Sequence, residues 1–281
     1  MRATILLSVW LSLALASPAP AYVRTTVDGF PDRPIFWADR AIPVELASSS
    51  SSDVAPDLLR VALDRSLATW TRAGSCTDVV LTDVGDALGT TTNLDGGPLD
   101  RHNRIVVRES GWPAIVGPET LAITTVLYER TSGAILDADT DVNAVSHAFA
   151  ASEPPPLDHD DVQNTLTHEL GHLLGFGHVS DAQATMFVSA AAGETLKRDL
   201  ASDDVRAVCE TYPIGRPTPT TWPPLDAGAS CAAASRSVPL HPALVVAALA
   251  ALVIRARRGS RRADRADGKA CGARRRPAKR A

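Results

Sequence analysis

His168-Glu169-Leu170-Gly171-His172-Leu173-Leu174-Gly175-Phe176-Gly177-His178 is the stretch on which the reading of this chain turns. On a helix, His168 and His172 stand four residues apart, so both imidazoles project from one face, one turn from each other. Two neutral imidazoles held that way can grip one zinc ion. Glu169 beside them is placed to take a proton from a water on that ion. Gly175 can adopt the left-handed conformation that ends a helix and doubles the chain back. That reversal brings His178 round as a third ligand and leaves the fourth position to water, the arrangement of a catalytic rather than a structural zinc.

The flanks agree with a helix. Pro154, Pro155 and Pro156 exclude helix before it, and Asp160 with Gln163 three residues on makes a capping box. Leu166, Leu170 and Leu173 form an apolar stripe about 200° around from His168, so the leucines face a core and the histidines a cleft. The plain alternative is a buried helix whose histidines merely hydrogen-bond. One His would favour it, but three His, one Glu and one Gly at fixed offsets favour the metal.

His168 to His178 matches H-E-x-x-H-x-x-G-x-x-H in full, and in this the chain resembles the metzincin metalloproteases. Met186, within Ala184-Thr185-Met186-Phe187, lies where that clan places a Met-turn beneath the metal, as packing and not as a ligand. Leu200-Ala201-Ser202-Asp203-Asp204 leading to Tyr212 resembles the final helix of the matrixin branch. Earlier parts are similar, more loosely, to bacterial matrixin-like secreted proteases. Two departures stand out: no Tyr follows Met186 closely, and Val179 replaces the Ser usual after the third His. The resemblance implies an α+β fold: a metzincin, zincin-like catalytic domain with a twisted mixed sheet, an active-site helix and a C-terminal helix. It also implies a zinc metalloendopeptidase with one catalytic Zn²⁺ on His168, His172 and His178, and Glu169 as general base. The strand from Leu121 to Tyr128 would be the sheet edge against which a protein or peptide substrate pairs as an antiparallel strand.

The whole chain has 281 residues, 45% of them hydrophobic, enough for one domain of ordinary size plus appendages. Residues 1–21 read as a signal peptide: Met1 and Arg2, an apolar run from Ile5 to Ala16, then Ala19-Pro20-Ala21 before Tyr22. Export favours disulfides, and Cys76 and Cys209, the two cysteines within the globular part, could pair. Residues 22–213 are the expected catalytic domain, and 214–237 a Pro/Thr/Ala-rich linker carrying Cys231. The apolar segment 238–254, followed by an Arg-rich tail 255–281 with Cys271, is expected to be a C-terminal membrane anchor with its basic flank inside. A disordered Ala-rich tail is the alternative. A hydrophobic segment directly before the arginines points to membrane and away from nucleic acid. The protein is thus expected to be exported, at the cell surface, and monomeric.

Within the domain, Ile35 to Trp37 and Ile42 to Leu46 read as short strands, the second broken by Pro43. A helix runs from about Pro56 to Ala73, with Leu59, Leu63, Leu67 and Trp70 as its core stripe and Gly74 ending it. Val79 to Leu81, Ile105 to Val107, Leu121 to Tyr128 and Ala134 to Val142 read as strands, and Ser202 is expected to cap a last helix through Glu210 with Val205 and Val208 facing inward. Asp137, Asp139 and Asp141 alternate along one strand face. Ca²⁺ is possible there but not favoured, and a solvated acidic face is the preferred reading. His147 and His159 read as surface histidines. Besides catalysis, a non-catalytic cell-surface zinc-binding or adhesive module of the same fold is the rival; an intact Glu169 argues against it.

Overall fold

A mixed sheet with one antiparallel edge organises the computed structural model, which describes residues 22–48 and 51–221. In chain order the strands and helices are β1 (Val23–Arg24), β2 (Thr26–Val27), β3 (Phe30–Pro34), β4 (Ala41–Leu46), α1 (Pro56–Thr71), β5 (Val80–Asp86), β6 (Arg104–Arg108), β7 (Ala122–Tyr128) and β8 (Ile135–Asn143). They continue with β9 (Phe149–Ala150), β10 (Asp160–Asp161), α2 (Val162–Leu173), β11 (Phe176–Gly177) and α3 (Ser202–Thr211). The main sheet has the order β5-β4-β6-β8-β7. Its first four strands run parallel, while β7 returns antiparallel to β8 and forms the edge. The expected signal peptide, the apolar segment 238–254, the Arg-rich tail, Cys231 and Cys271 lie outside the described residues. Among those described, no helix is long and apolar enough to cross a membrane.

The two long helices carry the core stripes expected of them. Leu59, Leu63, Leu67 and Trp70 of α1 are buried, as are Leu166, Leu170 and Leu173 of α2. Trp70 closes the contact between them, its ring stacked on Phe176 at 5.6 Å and its indole N–H donated to the Thr167 carbonyl at 2.7 Å. A helix leaves its last carbonyls without internal partners. Here the Trp37 indole donates to Leu173 O and the Tyr212 hydroxyl to Leu174 O, so the end of α2 is satisfied by side chains from both ends of the domain. Cys76 and Cys209 are joined, tying the loop after α1 to α3.

Several details differ from the sequence reading, each for a local reason. Pro43 does not break β4 but lies inside it. Glu45 and Ala47 send their N–H groups toward β6, and by the two-residue period Pro43 N faces the same way, where β6 has not yet begun. The Asn103 amide supplies the missing link, donating to Pro43 O and accepting from Ala138 N. Ile35–Trp37 is not a strand; only Phe36 bridges, to Ala134. The strand precedes it, at Phe30–Pro34. The α2 cap is Asp161, not Asp160, its carboxylate accepting from Asn164 N at 2.7 Å. The Asp160 carboxylate is instead engaged by His147 Nδ1 at 3.0 Å, and capping passes one residue down. Helix α1 stops at Thr71, and α3 runs to Thr211 with Ala201 at its cap position, where Asp204 accepts the Ala201 N–H. Ala207 and Val208, rather than Val205, are its inward residues.

Two larger corrections concern charge and boundary. Asp137, Asp139 and Asp141 are not a solvated face; all three are buried. Asp137 accepts from Asp100 N and Arg101 N, Asp139 from Asn93 N and Arg104 N, and Asp141 from the Thr92 hydroxyl and the Arg108 guanidinium. The strand β8 thereby fastens the long loop between β5 and β6, whose backbone donors would otherwise go unpaired. The stretch after Pro213 is not a free linker at its start. Ile214 N donates to Cys76 O, Gly215 N to Asp78, and Arg40 and Arg24 grip Arg216 O, Thr218 and Pro219 O.

Candidate active site

Helix α2 ends where Gly175 takes φ +90°, a conformation that side chains avoid. A Cβ there would also stand 2.9 Å from Ile35 O, so the turn admits glycine for two reasons. The chain then runs back as β11, which pairs antiparallel with β1, Gly177 opposite Val23 and Phe176 opposite Arg24. This reversal delivers His178 to the face of α2 that carries His168 and His172. His178 Nε2 lies 3.0 Å from Nε2 of each of the other two.

The tautomers follow from what stands behind each ring. His168 Nδ1 is 2.6 Å from Thr185 O, and His172 Nδ1 is 2.8 Å from Phe176 O. A carbonyl only accepts, so both Nδ1 atoms carry the proton and both Nε2 lone pairs point inward. Burial, reinforced by the neighbouring rings, holds His168 well below the ordinary histidine range. Burial likewise lowers His172 to about 4 and, with His172 adding to it, His178 to about 3. Three neutral imidazoles with converging lone pairs suit a divalent zinc ion, and among the described residues they are the group that could hold a metal.

Glu169, one residue past His168, is buried, and burial pushes its carboxyl up to about 7. The Thr124 hydroxyl on edge strand β7 opposes that shift, donating to Glu169 Oε2 at 2.8 Å; Thr124 is itself 2.8 Å from the Thr140 hydroxyl. A cleft of about 480 Å³ opens here, walled by Leu121–Thr124 on one side and Phe187–Ala190 on the other.

Met186 is buried under the site, and the helix comes down on it at Gly171. A Cβ at that position would meet Met186 Sδ and lie 2.9 Å from Trp70 Cζ2, which explains a small residue between the two histidines. The turn itself is held by α3: Asp204 accepts from Thr185 N at 2.8 Å and from Met186 N at 3.3 Å. Asp204 thus orients Thr185, whose carbonyl orients His168. In the sequence Asp204 stands out only as part of a helix, and nothing there marks the roles of Thr124 and Gly171. The strand alternation that buries Thr124 gives no sign that it meets Glu169. His147 is not simply a surface residue: its ring bridges Asp160 and the Pro118 carbonyl, 3.0 Å from each. His159 lies beside Asp158 at the surface, and neither joins the cluster.

A helix presenting two imidazoles and a carboxylate, a glycine turn bringing a third imidazole, and a methionine turn beneath them form a site like that of the matrixins, and the comparisons point the same way over this part of the chain. Residues 117–213 match the family model described as Matrixin. Over 103 residues the chain is 35% identical to Metalloendoproteinase 1-MMP of Arabidopsis thaliana, covering 30% of this chain and 28% of that protein. It is 43% identical over 54 residues to Metalloendoproteinase 1 of Glycine max, 19% of this chain and 17% of that one. It is 41% identical over 46 residues to Matrilysin of Homo sapiens, 16% and 17% respectively. The chain therefore spans less than a third of each relative's length. These relatives are plant and human proteins, so they do not carry the likeness to bacterial secreted proteases.

Proposed function

We propose that the protein is a zinc-dependent metalloendopeptidase, with His168, His172 and His178 holding one zinc ion. The observation that carries this reading is the meeting of three Nε2 lone pairs, two fixed by carbonyls behind their rings, beside a buried carboxylate. Zinc bound there would supply Lewis acidity, polarising the scissile carbonyl and making water acidic near neutral pH. Glu169 accepts the proton of the attacking water and returns it to the leaving amine. The Thr124 hydroxyl keeps that carboxylate oriented. Strand β7, with no neighbour on its outer edge in the main sheet, binds the substrate backbone as an added antiparallel strand. The recess between β7 and Phe187–Ala190 takes the side chain that follows the scissile bond. The likeness to metalloendoproteinases of Arabidopsis thaliana and Glycine max supports this reading.

The full chain, loaded with zinc and given unfolded protein, should cleave it and stop on addition of a chelator. Glu169→Gln should retain one zinc per chain by metal analysis yet lose on the order of 10²–10⁴ in kcat. Undiminished cleavage by that variant would falsify the assigned base.

A further inference from the structure

Lys197 is a lysine almost wholly withdrawn from solvent in the wall of the cleft. It sits in a single 3₁₀ turn, Leu196–Arg198, and its side chain is 4% exposed. Its backbone is pinned through Lys197 N donating to the Asn164 side chain of α2 at 2.7 Å, one helical turn before His168. The ammonium donates to Ser189 O at 2.6 Å and to Glu194 Oε1 at 2.9 Å, and stands 5.9 Å from the Phe187 ring centre. Ser189, Phe187 and Lys197 all line the recess beside the histidines, and His168 and His178 both register the ammonium's charge. An ammonium has three N–H bonds. Two are spent among the described residues, and the third remains for whatever enters.

The charge, by contrast, is already balanced. Glu194 holds the ammonium with one oxygen and accepts Ala191 N with the other, so it is fixed in place. A second carboxylate entering would set two negative groups against one positive group, at a cost in a poorly solvated recess. An aliphatic side chain would expel the water that could satisfy the third N–H and offer nothing in return. A neutral acceptor on a short unbranched stem meets both conditions, with its methylenes against Leu121, Phe187 and Val188 and its carbonyl oxygen toward Lys197.

We propose that Lys197, neutralised by Glu194, makes this recess select glutamine at the substrate position following the scissile bond. The proposal rests on the peptidase reading above, but its chemistry is that of the recess alone. Peptides identical except for Gln, Glu, Leu or Met at that position are offered to the zinc-loaded full chain. In parallel, calorimetry on the Glu169→Gln protein measures binding of product-like peptides beginning with each residue. Gln is expected to exceed Leu and Glu by roughly tenfold or more in both measurements. Lys197→Met should move the preference to Leu. Glu194→Gln, a change at a part-exposed side chain, should move it to Glu, because the ammonium then lacks a counter-charge. That reversal is a gain that mere structural damage does not produce. A wild-type preference for Leu, or unchanged profiles in both variants, overturns the proposal. Binding that favours Gln with no peptide cleaved overturns the peptidase reading instead and upholds the recess.

Discussion

Glu169 and Thr124 show what a single contact contributes. A carboxylate pressed into a dry wall next to three uncharged rings is driven toward its protonated form, and one hydroxyl opposes this by donating to it. Thr124→Val keeps the shape of the side chain and removes the donor. We expect kcat/KM to fall about 10–100-fold, the worth of one hydrogen bond to a charged group, with zinc content unchanged by metal analysis. Equal activity would mean that the hydroxyl has no part in holding the base. This pair was illegible in the sequence, because the two residues are separated by 45 positions and belong to different elements.

At the scale of elements, helix α2 was the most readable part of the chain. Its stripe of leucines, its terminating Gly175 and the offsets of its histidines all follow from 3.6 residues per turn, and α1 was legible on the same ground. What failed was local competition for polar groups. Asp160 was a plausible cap until His147 claimed its carboxylate, and Pro43 was a plausible break until the late start of β6 left its nitrogen unopposed. Gly171 carries a further lesson, since a helix interior disfavours glycine by about 1 kcal/mol relative to alanine. The close approach of Met186 and Trp70 reverses that preference. Gly171→Ala should therefore be net destabilising by up to about 2 kcal/mol, the overpacking cost of about 1–3 less the roughly 1 gained in propensity. That lowers the melting temperature by a few degrees in a circular-dichroism melt. A higher melting temperature would show that the helix can lift off Met186 without cost.

Across the whole molecule, the buried aspartates of β8 matter most for how stability varies with pH. Burial pushes Asp139 up to about 7 and Asp141 up to about 6, against the backbone N–H groups of Arg104 and Asn93 for the first and Arg108 for the second. A carboxyl whose folded pKa is raised contributes stability below its unfolded value near 4, and that contribution is lost as pH rises through the folded value. The histidine cluster acts in the opposite direction, so the two must be separated. The stability of the wild type minus that of Asp139→Asn, from urea unfolding of the zinc-free proteins, should shrink as pH rises from about 4 to 7. A flat difference would mean that Asp139 stays charged throughout. Alternation predicted the shared face of these residues, but whether that face met water depended on a loop 35 to 49 positions away.

The strap over Arg24 has a mechanical consequence at the same scale. The guanidinium that holds Pro219 O belongs to the strand zipped onto Phe176–Gly177, immediately before His178. Tension drawn through Val23 on one side and Pro219 on the other is thus borne first by the Arg24 and Arg40 contacts to 216–219 and by that short zipper, and only later by the five-stranded sheet. Under load, the three-histidine cluster should open before the body of the molecule yields. In a pulling experiment between these two flanks, zinc should shift the first, low-force rupture and leave the final one where it was.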